Sequence, residues 1–119
     1  MGYESRLYIV EKSSTSVFDN EKRWGEVIAM INMCKMGKDF VTAICNYPPT
    51  DCYIYNGDEK ITEDCYGDHL LEIPVTDMIS ILEKLAEKED YRRLKPAIGL
   101  LKGFVLKEWD NLVVLHYGY

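Results

Sequence analysis

The stretch 51–74, DCYIYNGDEKITEDCYGDHLLEIP, constrains the fold most strongly because a clear turn signal separates two short strand patterns. Asn56-Gly57 supplies the positive φ angles that a tight hairpin turn requires. Residues 53–55 and 60–62 favour an extended backbone on either side of it. We therefore predict a β-hairpin, then a turn at 66–68, then a return strand of Leu70, Leu71 and Ile73 that ends at Pro74, because proline cannot continue a strand ladder.

Both ends of the chain also carry strand patterns. Residues 5–11 place Leu7 and Ile9 on one face and Tyr8 and Val10 on the other, as a strand covered on both sides would. Residues 112–117, LVVLHY, form a nearly unbroken apolar run of strand length. We predict that both strands lie inside one sheet, the last beside the first.

Three helices are predicted from apolar residues at three-and-four spacing. The first runs from Asp19 or Asn20 to about Met36, the second begins at Thr76, and the third covers about 92–107. Segment 39–45 fits either a short helix or a strand. The inward stripe of the first helix is Trp24, Val27, Ile28, Ile31 and Cys34. The stripes of the second and third are Val75, Ile79, Leu82, Leu85 and Ala86, then Leu94, Ala97, Ile98, Leu101, Phe104 and Val105.

These elements predict an α+β fold: an antiparallel or mixed sheet of about five short strands, with about three helices packed mainly on one face. The hydrophobic content of 47% is sufficient for a core, and 119 residues correspond to one domain, 1–119.

Charge and hydropathy restrict the compartment and the partner. The formal charge of −6 disfavours binding to nucleic acid, which needs a basic face, and instead suits a basic protein partner. We find no apolar run of signal-peptide or membrane-spanning length. We therefore expect a cytoplasmic protein that does not contact a membrane.

The four cysteines are predicted to be reduced thiols buried in the core, because no secretory signal accompanies them. A zinc site of Cys45, Cys52, Cys65 and His69 would lack any C-x-x-C pair that preorganises two ligands. A nucleophilic Cys65 activated by His69 or His116 would lack an identifiable oxyanion hole. We therefore assign no catalytic residue, no metal and no cofactor, and we expect His116 to be structural.

An acidic cluster coincides with the predicted hairpin and its return loop. Seven carboxylates lie between Asp51 and Glu72, with Lys60 as the only basic residue among them. Tyrosines interleave with these carboxylates, so the segment is either a solvated hairpin or a surface for a basic groove. The predicted partner-binding residues are Tyr53, Tyr55, Asp58, Glu59, Glu63, Asp64, Tyr66 and Asp68.

The segments MGYESRLYIVEK, WGEVIAMINMCKMG and ITEDCYGDHLLEIPV resemble small uncharacterised proteins of bacteriophages and prophages. The resemblance carries no catalytic residues to transfer. It implies an inhibitor or adaptor that binds host machinery, including antagonists of bacterial immunity such as anti-CRISPR proteins.

Three functional hypotheses follow. The first is a non-enzymatic phage or mobile-element protein that binds a host protein, for example an immunity component, through the acidic, tyrosine-containing surface. The alternative is a small cytoplasmic ligand-binding protein or enzyme, with tyrosine, cysteine and histidine converging in a pocket between sheet and helices. A homodimer is a further expectation, from Met30, Met33 and Met36 off the first helix's stripe and from Gly99 and Gly103.

Overall fold

The computed structural model describes residues 4–13, 23–109 and 111–119. Those residues form six strands and three helices. In chain order they are β1 (Ser5–Lys12), β2 (Arg23–Cys34), α1 (Gly37–Ile44), β3 (Cys52–Asn56), β4 (Glu59–Ile61), β5 (Leu71–Pro74), α2 (Val75–Lys88), α3 (Leu94–Leu106) and β6 (Leu112–Gly118).

The strands follow the order β4-β3-β2-β1-β6-β5, which confirms the predicted α+β class with one strand more than expected. β2, β1, β6 and β5 pair antiparallel in succession, and β6 lies beside β1 as predicted. β3 joins β2 through a short parallel contact and pairs with β4 in the predicted hairpin. The predicted turn at 66–68 is also present, with Gly67 at φ +80°.

Two apolar cores lie on opposite faces of β1, because successive strand residues point to opposite sides. Leu7 and Ile9 pack with residues of all three helices, which lie on that face as predicted. Tyr8 and Val10 pack on the other face with residues of β3, β4 and Leu70. The hairpin therefore covers the sheet face that the helices leave open.

The prediction of a helix from Asp19 or Asn20 to Met36 is wrong, because 23–34 form strand β2. The apolar residues of this segment fit the spacing of a helix, but they also fit the alternation of a strand. Ala29, Ile31 and Met33 all lie on one face of β2 and pack on the core beneath the helices. β-Branched side chains and pairing to β1 outweigh the weak helical preference of this segment. Asp19 and Asn20 lie outside the described residues.

The other helices differ in smaller ways. Segment 39–45 is resolved in favour of helix α1, while α2 begins at Val75, one residue earlier than expected. Val105, predicted to point inward from α3, is exposed. Met33 and Met36 are buried in the core and Met30 is exposed. None of the helices in the described part of the chain has the length and apolar character needed to cross a bilayer.

Gly25 allows β2 to pass close to β1 and β3 at the start of the hairpin. A Cβ atom built there would lie less than 3.0 Å from Val10 Cγ1, and 3.4 Å from both Cys52 Cβ and Ile54 Cγ2. A methyl group cannot occupy that space unless a neighbour moves. The Cα of Gly25 faces the core between β1 and β3. The side chain of the preceding residue, Trp24, therefore points outward.

Candidate functional site

The outer side of the β3–β4 hairpin carries a row of aromatic side chains. Ile54 is fully buried against β1, so Tyr53 and Tyr55 point to the outer side by strand alternation. Trp24 is the register partner of Tyr53 in the parallel β2–β3 contact, and paired residues share a face. Trp24, Tyr53 and Tyr55 therefore lie together on one surface.

This row is accessible and already holds one cation. Trp24 and Tyr55 are each 46% exposed. The rings of Tyr53 and Tyr55 meet edge to face, with centroids 5.8 Å apart. Lys60 places its ammonium nitrogen 4.3 Å from the centre of the Tyr53 ring, a cation–π contact.

Exposed carboxylates stand at the tip of the same hairpin. Asp58 and Glu59 are exposed there, in the turn and at the start of β4. Glu59 pairs with Asn56, so its side chain points to the side of Ile54 and Ile61, away from the tyrosines. We call the hairpin face the set of Trp24, Tyr53, Tyr55, Asp58 and Lys60. It combines flat aromatic surfaces with a carboxylate at the tip, two features that both attract a guanidinium group.

The loop 62–69 extends the acidic surface with Glu63, Tyr66 and Asp68, all exposed. Asp64 differs from the other predicted binding residues because it is only 8% exposed. One of its carboxylate oxygens accepts hydrogen bonds from the backbone N–H groups of Tyr66 and Asp68, at 2.9 and 3.0 Å. Asp64 therefore organises the turn from inside, and its carboxylate is less accessible to a partner than those of Glu63 and Asp68.

An ion network anchors the base of the hairpin to the sheet. Lys12 Nζ lies 3.0 Å from Asp51 Oδ1 and 3.1 Å from Glu72 Oε2. Arg23 donates from Nε to Asp51 Oδ2 at 2.8 Å. Burial alone would raise the pKa of Asp51, but the hydrogen bonds from Arg23 and Lys12 outweigh it and lower that pKa to about 2. The network therefore ties the start of β3 to the start of β2.

Asp51, Cys52 and Glu72 bring three potential metal ligands within 4.8 Å of one another, a grouping that sequence spacing did not suggest. The Lys12 ammonium already bridges both carboxylates of this group. Burial also raises the pKa of the Cys52 thiol, which keeps it in the protonated form that binds metals poorly. The residues present therefore suit a structural salt bridge better than a metal centre.

The zinc ligands predicted from the sequence do not form a cluster of three among the described residues. No three of Cys45, Cys52, Cys65 and His69, all described by the structure, lie close enough to share an ion. Cys52 is buried as expected, but the expectation of a core thiol is wrong for Cys45 and Cys65, which are exposed. Cys65 is exposed because it lies in the turn that follows β4 rather than in an apolar strand.

His116 is buried in β6, as predicted for a structural residue. Its Nε2 lies 2.9 Å from Ser5 Oγ, and its ring packs near that of Phe40. Desolvation lowers the pKa of His116 to about 4, so the imidazole is neutral at pH 7. Ser5 is 1% exposed, so this pair cannot present a nucleophile to a substrate.

A shallow depression of about 440 Å³ lies between α1, β5 and the loop 62–69. Cys45, Tyr47 and His69 line it, together with Asp68 and the edge of His116. Tyr47 donates a hydrogen bond from its hydroxyl to Asp77 Oδ2 at 2.9 Å, and this bond raises the pKa of the phenol. A tyrosine, a cysteine and two histidines therefore share the lining of one depression.

Sequence reasoning missed Trp24, Lys12 and Arg23, because their roles depend on contacts between distant segments. Trp24 was assigned to a helix core, although the Gly25 that follows it is a poor helix former and was a signal against that assignment. The chain matches no protein-family model, no curated protein and no solved structure.

Proposed function

We propose that this protein is a non-enzymatic binding protein that attaches to a basic, arginine-rich surface of another protein through the hairpin face. The observation that carries this proposal is that exposed aromatic rings and exposed carboxylates lie on one hairpin. Trp24 and Tyr55 are accessible there, and the loop 62–69 adds Tyr66, which is 55% exposed.

Arginine fits this surface better than lysine does. A guanidinium group is planar, so it can stack on Tyr55 while its N–H groups donate to Asp58 in the turn that follows. Lys60, the only basic residue between 51 and 72, already makes the cation–π contact with the Tyr53 ring. The Asp58 carboxylate makes no ion pair among the described residues, so a bound guanidinium would give it one.

The biological setting we propose is the cytoplasm of a bacterial host, where a phage or prophage protein would inhibit or adapt a host component. The resemblance of three segments to small phage and prophage proteins supports this setting. A nucleic-acid-binding immunity protein is a suitable target, because its groove presents arginines to phosphates and would accept carboxylates in their place.

The experiment is affinity capture from bacterial lysate, compared between two matched variants. The test variant carries Asp58→Asn, Glu59→Gln and Asp68→Asn. The control carries Glu87→Gln, Glu89→Gln and Asp90→Asn, three exposed carboxylates at the end of α2. Each variant changes the formal charge from −6 to −3, so that a difference between them reflects position and not net charge.

We expect the wild type and the α2 control to retain the same basic protein, and the hairpin variant to lose it. Mass spectrometry of the captured proteins identifies the partner. Equal capture by both variants would place the binding surface elsewhere, and capture of nothing by the wild type would count against a protein-binding role.

The depression at Cys45, Tyr47 and His69 supports a second candidate, binding of a small cytoplasmic ligand. A ligand that binds only the native state raises the melting temperature by mass action. Thermal shift against nucleotides and metabolites therefore separates the two candidates. A response that Tyr47→Phe and His69→Ala abolish would favour the ligand-binding role.

A further inference from the structure

One edge of β2 is largely unpaired in the part of the chain that the structure describes. β2 spans Arg23–Cys34 and pairs with β1 along almost its whole length. Its other edge meets β3 only at Arg23 and Trp24, after which the hairpin turns away over the second core. Beyond Trp24, this edge has no ladder partner among the described residues.

The pairing pattern identifies which β2 backbone groups point to the open edge. Glu4 and Tyr119 exchange backbone hydrogen bonds, so even-numbered residues of β1 bond to β6 and odd-numbered ones to β2. Leu7 and Ile9 therefore bond to their partners Ile31 and Ala29. The backbone N–H and C=O of Met30, which lies between them, point away from β1.

A side-chain contact agrees with this assignment. Arg93 donates from Nη1 to the backbone carbonyl of Asn32, two residues along from Met30 and on the same edge. Arg93 thus covers the edge at Asn32. No described hydrogen bond covers it at Met30, whose side chain is 49% exposed.

The composition of this edge lacks the usual protection against pairing. Natural edges carry lysine, proline or inward charges that prevent strand addition. Residues 27–34, VIAMINMC, contain neither charge nor proline. The partial protection comes from two register irregularities in the β1–β2 ladder, which bend the strand.

We propose that this edge pairs with the same edge of a second copy of the chain, antiparallel, with the two-fold axis at Met30. Each Met30 N–H then donates to the Met30 carbonyl of the partner, so that the two β2 strands join two sheets into one. The two-fold relation places both helical layers on the same side of the joined sheet.

Self-pairing in this register is compatible with the charges. Residue numbers that face each other add to 60, so Glu26 meets Cys34 and no glutamate meets glutamate. Ala29 meets Ile31 on the helix side, where both side chains are half-buried in the free chain. Because Arg93 covers the edge at Asn32, the open part runs over residues 27–31, about 17 Å at ~3.4 Å per residue, so the interface is small and the dimer is weak.

Sedimentation velocity over a concentration series tests this proposal. We expect a monomer at about 5 μM and a growing dimer fraction toward about 500 μM, as a small interface implies. Met30→Lys introduces like charges across the two-fold axis and should keep the chain monomeric at every concentration. The matched control is Leu106→Lys, a substitution of an 82% exposed residue at the end of α3, and it should dimerise as the wild type does.

Amide hydrogen exchange adds a readout specific to the edge. The Met30 amide should exchange more slowly at high concentration in the wild type and in Leu106→Lys, but not in Met30→Lys. Met30→Pro removes this N–H without breaking a bond to β1, so it should also stay monomeric. A wild type that is monomeric throughout, or a dimer that Leu106→Lys disrupts and Met30→Lys does not, would overturn the proposal.

Discussion

Gly25→Ala provides the sharpest test of how the hairpin is held against the sheet. The added Cβ would lie less than 3.0 Å from Val10 Cγ1, far inside van der Waals contact, and Val10 is fully buried. β2, β1 and β3 all converge there, so relief requires a shift of a strand or a strained Val10 rotamer. Overpacking of this kind costs about 1–3 kcal/mol.

The expected loss corresponds to a fall in melting temperature of about 4 °C for each kcal/mol in a domain of this size. Urea unfolding followed by circular dichroism measures the free energy directly. Gly103→Ala is the matched control, because no heavy atom lies within 4 Å of its added Cβ in α3. It should stabilise the protein by up to about 1 kcal/mol, since alanine favours helix.

A double-mutant cycle tests whether the clash itself is the cause. Val10→Ala removes Cγ1, the atom in closest approach, and leaves a space that the methyl group added by Gly25→Ala partly fills. Gly25→Ala should therefore cost far less in the Val10→Ala background than in the wild type, with a coupling energy above about 1 kcal/mol. An equal cost in both backgrounds would refute the packing argument.

Other predictions concern titrating groups and cysteines. The pKa of His116 is lowered to about 4 in the fold and is near 6.5 in the unfolded chain, so the free energy of unfolding should fall by roughly 3 kcal/mol as pH drops from 6.5 to 4. Urea unfolding of the wild type and of His116→Gln across this pH range measures the difference. Parallel plots of unfolding free energy against pH for the two proteins would contradict the prediction. Asp51, with its pKa lowered to about 2, contributes stability above about pH 3.9 that is lost as pH falls through 2, so Asp51→Asn should differ from wild type at pH 5 and converge with it near pH 2 in thermal melts. Cys52→Ser should cost about 1–3 kcal/mol in chemical denaturation because the site is fully buried, whereas Cys65→Ser, at an exposed turn, should be neutral; the reverse order would place the core elsewhere.

The hairpin, the two terminal strands and the two later helices could be predicted from residues close together in the sequence. The hairpin predicted from Asn56-Gly57 is present, but only Gly57 has a positive φ, and Asn56 belongs to β3. The apolar runs of β1 and β6 correctly predicted buried strands. Their adjacency was also predictable, since both strands needed cover on two faces. Helices α2 and α3 followed from three-and-four spacing that a pleated strand does not satisfy.

β2 was not predictable from its apolar spacing alone. Val27, Ile28 and Ile31 fit one helix face, and only pairing with β1 decides in favour of the strand. The same nonlocal pairing brings Trp24 beside Tyr53, so this exposed aromatic anchor of the hairpin face could not be found before the fold was known. Asp64 likewise looks like a surface carboxylate in the sequence. In the structure it is buried, and it accepts hydrogen bonds from backbone N–H groups of its own turn.

Titration of a fluorescently labelled nona-arginine peptide, with nona-lysine as its equal-charge counterpart, tests the proposed role of the hairpin face most directly. Fluorescence anisotropy should show tighter binding of nona-arginine to the wild type, because only guanidinium both stacks on Trp24 and Tyr55 and donates in a plane to carboxylates. The Asp58→Asn, Glu59→Gln, Asp68→Asn variant should weaken this binding by about tenfold, equivalent to ~1.4 kcal/mol, while the α2 control of the same net charge binds as the wild type does. Equal weakening by both variants, or equal affinity for the two peptides, would contradict an arginine-selective surface at the hairpin.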